Sequence, residues 1–139
     1  MRGAKRSANN KMTKTNHTEI PDDMYREHIL ELYKSPSNFG TLEKANHKAT
    51  EHNAICGDEI TVQLFVKNEI VKDVKFSGSG CVISMVASSL LTDKIKGMKI
   101  SEVLSLNKED ILKLMGIKVT PARIKCALLP LEAAQKALK

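Results

Sequence analysis

Residues 59–66 read EITVQLFV, in which an aliphatic side chain stands at every second position from Ile60 to Val66. This alternation is typical of a β-strand with one buried face. A short polar turn at residues 67–69 separates it from a second apolar run, IVKDVKF, at residues 70–76. The two runs predict an antiparallel hairpin, and the serine and glycine residues at 77–80 are expected to end its second strand.

Helices are predicted on both sides of this hairpin. Asp22 can act as the N-cap of a helix, and apolar residues follow it at helical spacing. The SPSN cluster at residues 35–38 is expected to end this helix. After Cys81 the apolar residues recur four positions apart, which predicts an amphipathic helix ending at Gly97.

The last third of the chain is predicted to contain helices only. Ser101 and Asn107 are expected to cap two short helices, the second with a capping-box pattern. Pro121 opens a final segment, in which Pro130 is expected to mark a first turn or a break. Strands followed only by helices predict an α+β fold, with helices packed on one face of a small, about three-stranded antiparallel sheet. The stretch 47–54 is ambiguous and would be a polar edge strand of that sheet.

The length of 139 residues is that of one domain. Of the net charge of +6, residues 1–20 contribute +4 through five basic groups and one acidic group. The remainder is nearly neutral, so we expect a disordered basic tail at residues 1–21, one domain at 22–139 and no nucleic-acid partner. No apolar run approaches the roughly 20 residues that span a bilayer, so no membrane association is expected.

Three cysteines stand where predicted elements begin or end. Cys56 precedes the best strand, Cys81 follows a Gly-Ser-Gly hinge and opens a helix, and Cys126 lies just after the turn at Pro121. An odd number of cysteines favours a reducing, cytoplasmic setting over a disulfide framework. Boundary positions favour the thiolate, which is both the metal ligand and the nucleophile. The alternative for each cysteine, a small buried side chain, stays open at this point.

Asp58 lies two residues after Cys56, and side chains two apart on an extended segment point the same way. It can therefore place a hard oxygen beside a soft sulfur, although a turn aspartate before a strand is an equal alternative. The cysteines are too far apart in sequence for the paired CxxC of a zinc ribbon, so only tertiary folding could gather them. Three thiolates and one carboxylate would suit Zn²⁺ or an iron–sulfur cluster with fewer than four thiolate ligands.

Four motifs together resemble one protein family. They are YKSPSNFG at residues 33–40, CGD at 56–58, GSGC at 78–81 and PARIKC at 121–126. In order and spacing they are similar to the IscU/NifU N-terminal/SufU family of iron–sulfur cluster assembly scaffolds, over roughly residues 24–138. The resemblance implies an α+β domain in which Cys56, Asp58, Cys81 and Cys126 converge at one exposed end and bind a cluster or a metal.

The resemblance also implies a function. A scaffold of this family accepts sulfur from a cysteine desulfurase, assembles a labile 2Fe–2S cluster with iron and with electrons from a donor such as ferredoxin, and transfers it to apo-proteins. Cys126 matches the persulfide acceptor of the IscU branch, and Cys56 matches that of the SufU branch. Such a scaffold is not an enzyme, whereas the alternative is a SufU-like zinc-dependent sulfurtransferase with the same ligands. A homodimer that shares a cluster stays open.

The chain departs from the family pattern in two places. Lys125 stands where IscU-type proteins carry histidine before the third cysteine. An ammonium group has no lone pair for a metal, so Lys125 is expected to favour the thiolates electrostatically. Residues 120–125 read TPARIK in place of Leu-Pro-Pro-Val-Lys, which argues against chaperone binding. The PARIKC motif is instead similar to SufU, while residues 97–121 leave no room for the long insertion that is typical of SufU-type chains.

Overall fold

The computed structural model of the chain describes residues 22–55 and 57–139, with side chains from residue 27 onward. The predicted basic tail at residues 1–21 and Cys56 lie outside the described residues. The predicted α+β fold is confirmed, and the ambiguous stretch forms the first strand. The elements in chain order are α1 Asp22–Lys34, β1 His47–Asn53, β2 Asp58–Lys67, β3 Ile70–Ser79, α2 Val82–Ile95, α3 Ile100–Leu104, α4 Lys108–Met115 and α5 Pro121–Leu138.

The three strands form one antiparallel sheet in the order β1-β2-β3. Alternate side chains of β2, at Ile60, Val62 and Leu64, are fully buried, as the period-two pattern predicts. This face of the sheet forms one core with α2 and α5. Asp58 has the same phase as these aliphatic residues, so the strand directs its carboxylate into the helix-covered face and not toward solvent.

The strand β3 is three residues longer than predicted. Residues 77–79 pair with the first half of β2, so the prediction that they end the strand was wrong. Gly78 makes this pairing possible, because its φ is 122° and a Cβ at this position would collide with the carbonyl oxygen of Glu59. The ladder therefore continues to the hinge that precedes Cys81.

The helix α5 runs without interruption from Pro121 to Leu138. Pro121 occupies the first turn, where its missing N–H carries no penalty. Pro130 lies inside the helix, so the prediction of a break was wrong. An interior proline costs about 3 kcal/mol, and the burial of Pro130 together with its core neighbours Leu129 and Leu131 offsets that cost. Neither this helix nor any other in the described ranges is long and apolar enough to cross a membrane.

The helix α2 is buried on most of its surface, although the sequence predicts an amphipathic helix. Ser84, Ser88 and Thr92 are fully buried together with the aliphatic positions. The hydroxyls of Ser88 and Thr92 each donate to the carbonyl oxygen four residues earlier, at 2.7 Å. Because these bonds satisfy the hydroxyls within the helix, its polar positions can be packed against neighbouring elements.

The loop between α1 and β1 is held against α2 by Asn38. Its side-chain amide donates to Thr92 Oγ1 at 3.0 Å and to Asp93 Oδ1 at 2.8 Å, and its Oδ1 accepts from Lys96 Nζ at 3.1 Å. Its carbonyl oxygen accepts from the backbone N–H of Phe76 at 2.9 Å. Asn38 therefore joins α2 to β3, the two elements that meet at Cys81.

Replacing Asn38 with alanine should lower the free energy of unfolding by about 2 kcal/mol. The backbone of Asn38 is left-handed, with a φ of 62°, so alanine adds strain and also removes the bonds to α2. Asn68 has a similar φ of 56° in the turn between β2 and β3, and Asn68→Ala should cost only about 1 kcal/mol. Urea denaturation of both variants measures the difference, and equal losses would contradict a contribution from the Asn38 side chain.

Candidate metal centre

Asp58 is buried at the start of β2, with an exposed fraction of 3%. Its Oδ1 accepts a hydrogen bond from the backbone N–H of Cys81 at 3.1 Å, and its Oδ2 lies 3.8 Å from the Sγ of Cys81. An isolated buried carboxylate would be very unfavourable, so the N–H at the start of α2 is a large part of what holds it there. One carboxylate oxygen is thus directed to the backbone and the other to a sulfur.

Gly80 leaves the space that this carboxylate occupies. A Cβ at position 80 would lie 3.2 Å from both Cγ and Oδ1 of Asp58 and would collide with the Oγ of Ser84. The glycine before Cys81 is therefore required by the close approach of two buried side chains.

Cys81 is the N-cap residue of α2, with φ and ψ of −73° and 173°. Its side chain is partly buried, and its carbonyl oxygen accepts from Met85 N–H at 3.0 Å and from Ser84 Oγ at 3.1 Å. The start of a helix carries a partial positive charge, which attracts anionic groups such as the Asp58 carboxylate. The hinge and the helix start thus bring a thiol and a carboxylate to the same point.

Cys126 is fully buried in the second turn of α5. The Nδ2 group of Asn53 donates to its Sγ at 3.7 Å. Because α5 packs against both β1 and α2, its first turns carry Cys126 to the end of the sheet where Asp58 and Cys81 lie.

Arg123 is a residue that the sequence analysis missed. Its exposed guanidinium interacts with the side chains of Cys81 and Cys126. The pKa of Arg123 is raised above its ordinary value, first by its electrostatic interaction with Cys81 and then by hydrogen bonding to Cys81 and Cys126. The available signal was the spacing, since a residue three positions before Cys126 lies on the same face of a helix. A permanent cation therefore stands beside two sulfurs.

The ligand atoms of Asp58, Cys81 and Cys126 all lie within 4.8 Å of one another. In a tetrahedral zinc site with bonds of about 2.3 Å to sulfur and about 2.0 Å to oxygen, neighbouring donors are about 3.5–3.8 Å apart. A contraction of about 1 Å would therefore close the three around a metal ion. Two soft sulfurs and one hard oxygen are a donor set that suits zinc or iron, and a four-coordinate metal would take one further ligand.

The other two predicted site residues, Cys56 and Lys125, are not among the three ligand residues grouped within the described ranges. Cys56 lies outside the described residues, so its part in the ligand set stays a prediction. Lys125 is exposed and lines a cavity of about 390 Å³ together with His52, Ile55 and Glu132. Arg123 is the cation that the structure places in contact with both sulfurs, and the auxiliary role of Lys125 stays a prediction.

Glu132 lies in the wall of that cavity, and its pKa is raised above the ordinary value. Burial raises the pKa of Glu132, the nearby charge of Glu51 raises it further, and Lys125 lowers it. Since the net direction is upward, the folded protein binds a proton at Glu132 more readily than the unfolded chain does.

The chain is similar to known proteins over almost all of its described length. A family model described as the NifU-like N-terminal domain matches residues 24–139. The "Zinc-dependent sulfurtransferase SufU" of Bacillus subtilis is 37% identical over 132 residues, covering 83% of this chain and 89% of that protein. The "Iron-sulfur cluster assembly scaffold protein IscU" of Thermotoga maritima is 36% identical over 132 residues, covering 84% of this chain and 93% of that protein.

A solved structure shares the fold. A protein of Fervidobacterium islandicum, identified provisionally as an iron–sulfur cluster assembly scaffold for the SUF system, matches with a TM-score of 0.72 at 28% identity. The match covers 86% of this chain and 100% of that one.

Gly80→Ala should weaken zinc binding by at least about tenfold, because the new methyl group displaces Asp58 from its place against Cys81. Competition with a chromophoric chelator measures the affinity. The double variant Gly80→Ala, Ser84→Ala removes the worst collision and should recover part of the loss, with Ser84→Ala alone as the control. Zinc binding by Gly80→Ala as tight as that of the unaltered protein would contradict the packing argument.

Glu132→Gln should stabilise the protein by a few tenths of a kcal/mol at pH 7, where the carboxylate is charged and partly buried. Because the pKa is raised in the folded state, the penalty disappears as the pH falls through that pKa, and the two proteins should then melt alike at pH 4. Thermal melts across this range test the sign, and Glu31→Gln on α1 is a surface control. A gain that is equal at both pH values would refute the titration argument.

Proposed function

The chain belongs to the NifU-like N-terminal domain family, and from that membership we propose that it is a scaffold on which an iron–sulfur cluster is assembled and then passed to apo-proteins. The relative from Thermotoga maritima, of which the match spans 93%, carries that function in its name. One observation of the molecule supports the proposal most directly: two sulfurs and one carboxylate oxygen, brought from three separate elements, lie within 4.8 Å of one another.

The mixed donor set suits a site that must release what it binds. Thiolates favour iron in a sulfur-rich cluster, whereas a carboxylate is a harder and more exchangeable ligand for it. Asp58 supplies that oxygen, and Cys81 and Cys126 supply sulfur. We propose Cys56 as the fourth ligand, since it precedes Asp58 by two residues in the loop that enters β2.

Sulfur would reach the site from the persulfide of a cysteine desulfurase. A thiolate of the scaffold attacks the outer sulfur of that persulfide, the S–S bond breaks, and the donor thiolate leaves. Reduction of the transferred sulfur to sulfide then needs two electrons from an external donor such as a ferredoxin. We propose Cys126 or Cys56 as the acceptor. Cys126 is fully buried, so a role as acceptor requires that the first turns of α5 open.

A second candidate is a zinc-dependent sulfurtransferase that accepts persulfide sulfur at the same site. Its support is the 37% identity to the Bacillus subtilis protein of that name, together with a donor set that suits zinc. In this case the metal stays bound while sulfur passes through, and the protein is enzyme-like. We also propose a cytosolic location, because the mechanism in either form needs reduced thiols.

Anaerobic reconstitution with iron, sulfide and a reductant distinguishes the two candidates. The scaffold should become coloured, with the absorption of a 2Fe–2S cluster, and should hand its cluster to an apo-ferredoxin. One tightly bound zinc per chain in the purified protein, together with failure to form a cluster, would reject the scaffold in favour of the sulfurtransferase.

Asp58→Ala should retain an assembled cluster longer than the unaltered protein, because the exchangeable oxygen ligand is gone. The rate of bleaching after addition of a chelator measures this. Asp58→Asn is the matched control, since its amide oxygen can still accept from the N–H of Cys81. Equal or faster loss from Asp58→Ala would contradict the assigned role of this carboxylate.

A further inference from the structure

Asn53 is a buried amide at the point where β1, β2 and α5 meet. It is the last residue of β1, lies opposite Asp58 in the ladder, and is 9% exposed. Side chains of an opposed pair lie on the same face of a sheet, so Asn53 and Asp58 both turn toward the helices. An amide buried in this position needs hydrogen-bond partners, and the partners it has belong to the metal centre and its loop.

The two ends of the Asn53 amide have different partners. Its Oδ1 accepts from the backbone N–H of Ile55 at 3.2 Å, and its Nδ2 donates to the Sγ of Cys126 at 3.7 Å. A backbone N–H can only donate, so the oxygen must face Ile55 and the NH₂ group must face the sulfur. The orientation of the amide is therefore set by the chain itself.

Asn53 also holds the loop that leads into β2. Its carbonyl oxygen accepts from the backbone N–H of Gly57 at 2.8 Å, while its side chain holds the N–H of Ile55. One residue thus bonds to both described flanks of position 56, of which Gly57 directly precedes Asp58, and to the sulfur of Cys126.

We propose that Asn53 is a positioning residue of the metal centre, whose Nδ2 group holds the Sγ of Cys126 in the direction from which it binds metal. This inference rests on the proposed function, because it takes Cys126 to be a ligand. Hydrogen bonds to ligating sulfurs withdraw electron density from them and restrict their orientation. Removal of such an outer partner typically lowers metal affinity by about 10–100-fold.

Asn53→Asp tests the two hydrogen bonds of the side chain separately, because it keeps the bond to Ile55 and removes the bond to Cys126. The carboxylate keeps an oxygen for the N–H of Ile55 and nearly the same volume, but when ionised it cannot donate to Cys126. Co²⁺ titrated anaerobically into the full chain reports its sulfur ligands through sulfur-to-cobalt charge-transfer absorption. We expect Asn53→Asp to weaken Co²⁺ binding by about tenfold or more and to shift that absorption, with an unchanged circular dichroism spectrum. The added negative charge would by itself attract Co²⁺, so a loss of Co²⁺ affinity could not be explained by the change in charge.

Cys126→Ser tests whether the effect passes through the sulfur. In that background, Asn53→Asp should change Co²⁺ affinity by less than about twofold, since the hydrogen-bonded thiolate is already absent. Asn46→Asp is the matched control at the other end of β1, where the Asn46 amide bonds to the N–H and carbonyl of Val66 at 2.8 Å. It should leave Co²⁺ binding unchanged.

A tenfold loss that persists in the Cys126→Ser background, or no loss in either background, overturns the proposal. If Asn53→Asp does not fold, the unaltered chain loaded with ¹¹³Cd²⁺ still decides the matter. The side-chain amide protons of Asn53 should shift on loading, and they should not shift in Cys126→Ser. Their failure to shift in the unaltered chain overturns the proposal.

The scaffold function and the positioning role of Asn53 can be disproved separately. An unaltered chain that binds Co²⁺ through sulfur but assembles no cluster overturns the scaffold function, while the variants above still decide the role of Asn53. An unaltered chain that binds no Co²⁺ through sulfur overturns both.

Discussion

The two-residue repeat of β2 is the constraint on which the site depends. Ile60, Val62 and Leu64 must face the helices, and each gains roughly 1.5–3 kcal/mol by burial. Asp58 is in the same phase, so the strand carries a carboxylate into the interior. A slip of one residue would expose the aliphatic side chains and turn Glu59 inward instead. The N–H of Cys81 reduces the cost of burying that carboxylate.

The starts of two helices complete what the strand begins. Cys81 is the N-cap of α2, and Cys126 lies in the second turn of α5, so both sulfurs come to the end of the sheet where Asp58 enters it. Gly80 leaves room for the carboxylate, and Arg123 places a cation against both sulfurs. Oxygen, sulfur and a permanent positive charge therefore share one small volume.

Features set by local chemistry could be predicted from the sequence. The hairpin follows from the alternation in residues 59–66, and α4 follows from Asn107 and Asp110, which exchange side-chain and backbone bonds at 3.1 and 2.9 Å. The helix α3 begins earlier than the sequence predicts, because its N-cap is Lys99 and not Ser101. The side chain of Glu102 accepts the backbone N–H of Lys99 at 3.0 Å.

Features set by tertiary contact could not be predicted in this way. Pro130 is kept inside α5 by the packing around it, and Gly78 remains in β3 because the neighbouring strand approaches closely. The contact of Asn53 with Cys126 and the interaction of Arg123 with Cys81 appear only once α5 meets the sheet, since these partners are far apart in sequence. Cys56 and Lys125 were singled out by motif, and for these two the motif remains the support.

The two oxygens of Asp58 have different partners, and this difference would affect how the proposed scaffold releases its cargo. Oδ1 accepts the backbone N–H at the start of α2, so the carboxylate would stay anchored at one oxygen if Oδ2 bound the proposed cargo. A carboxylate that is held in place through one oxygen can release a metal ligand bond at the other oxygen without moving. In the proposed site, the carboxylate could then release the cargo by breaking its Oδ2 bond alone, and it would stay in position for the next round while the bonds to sulfur are broken separately.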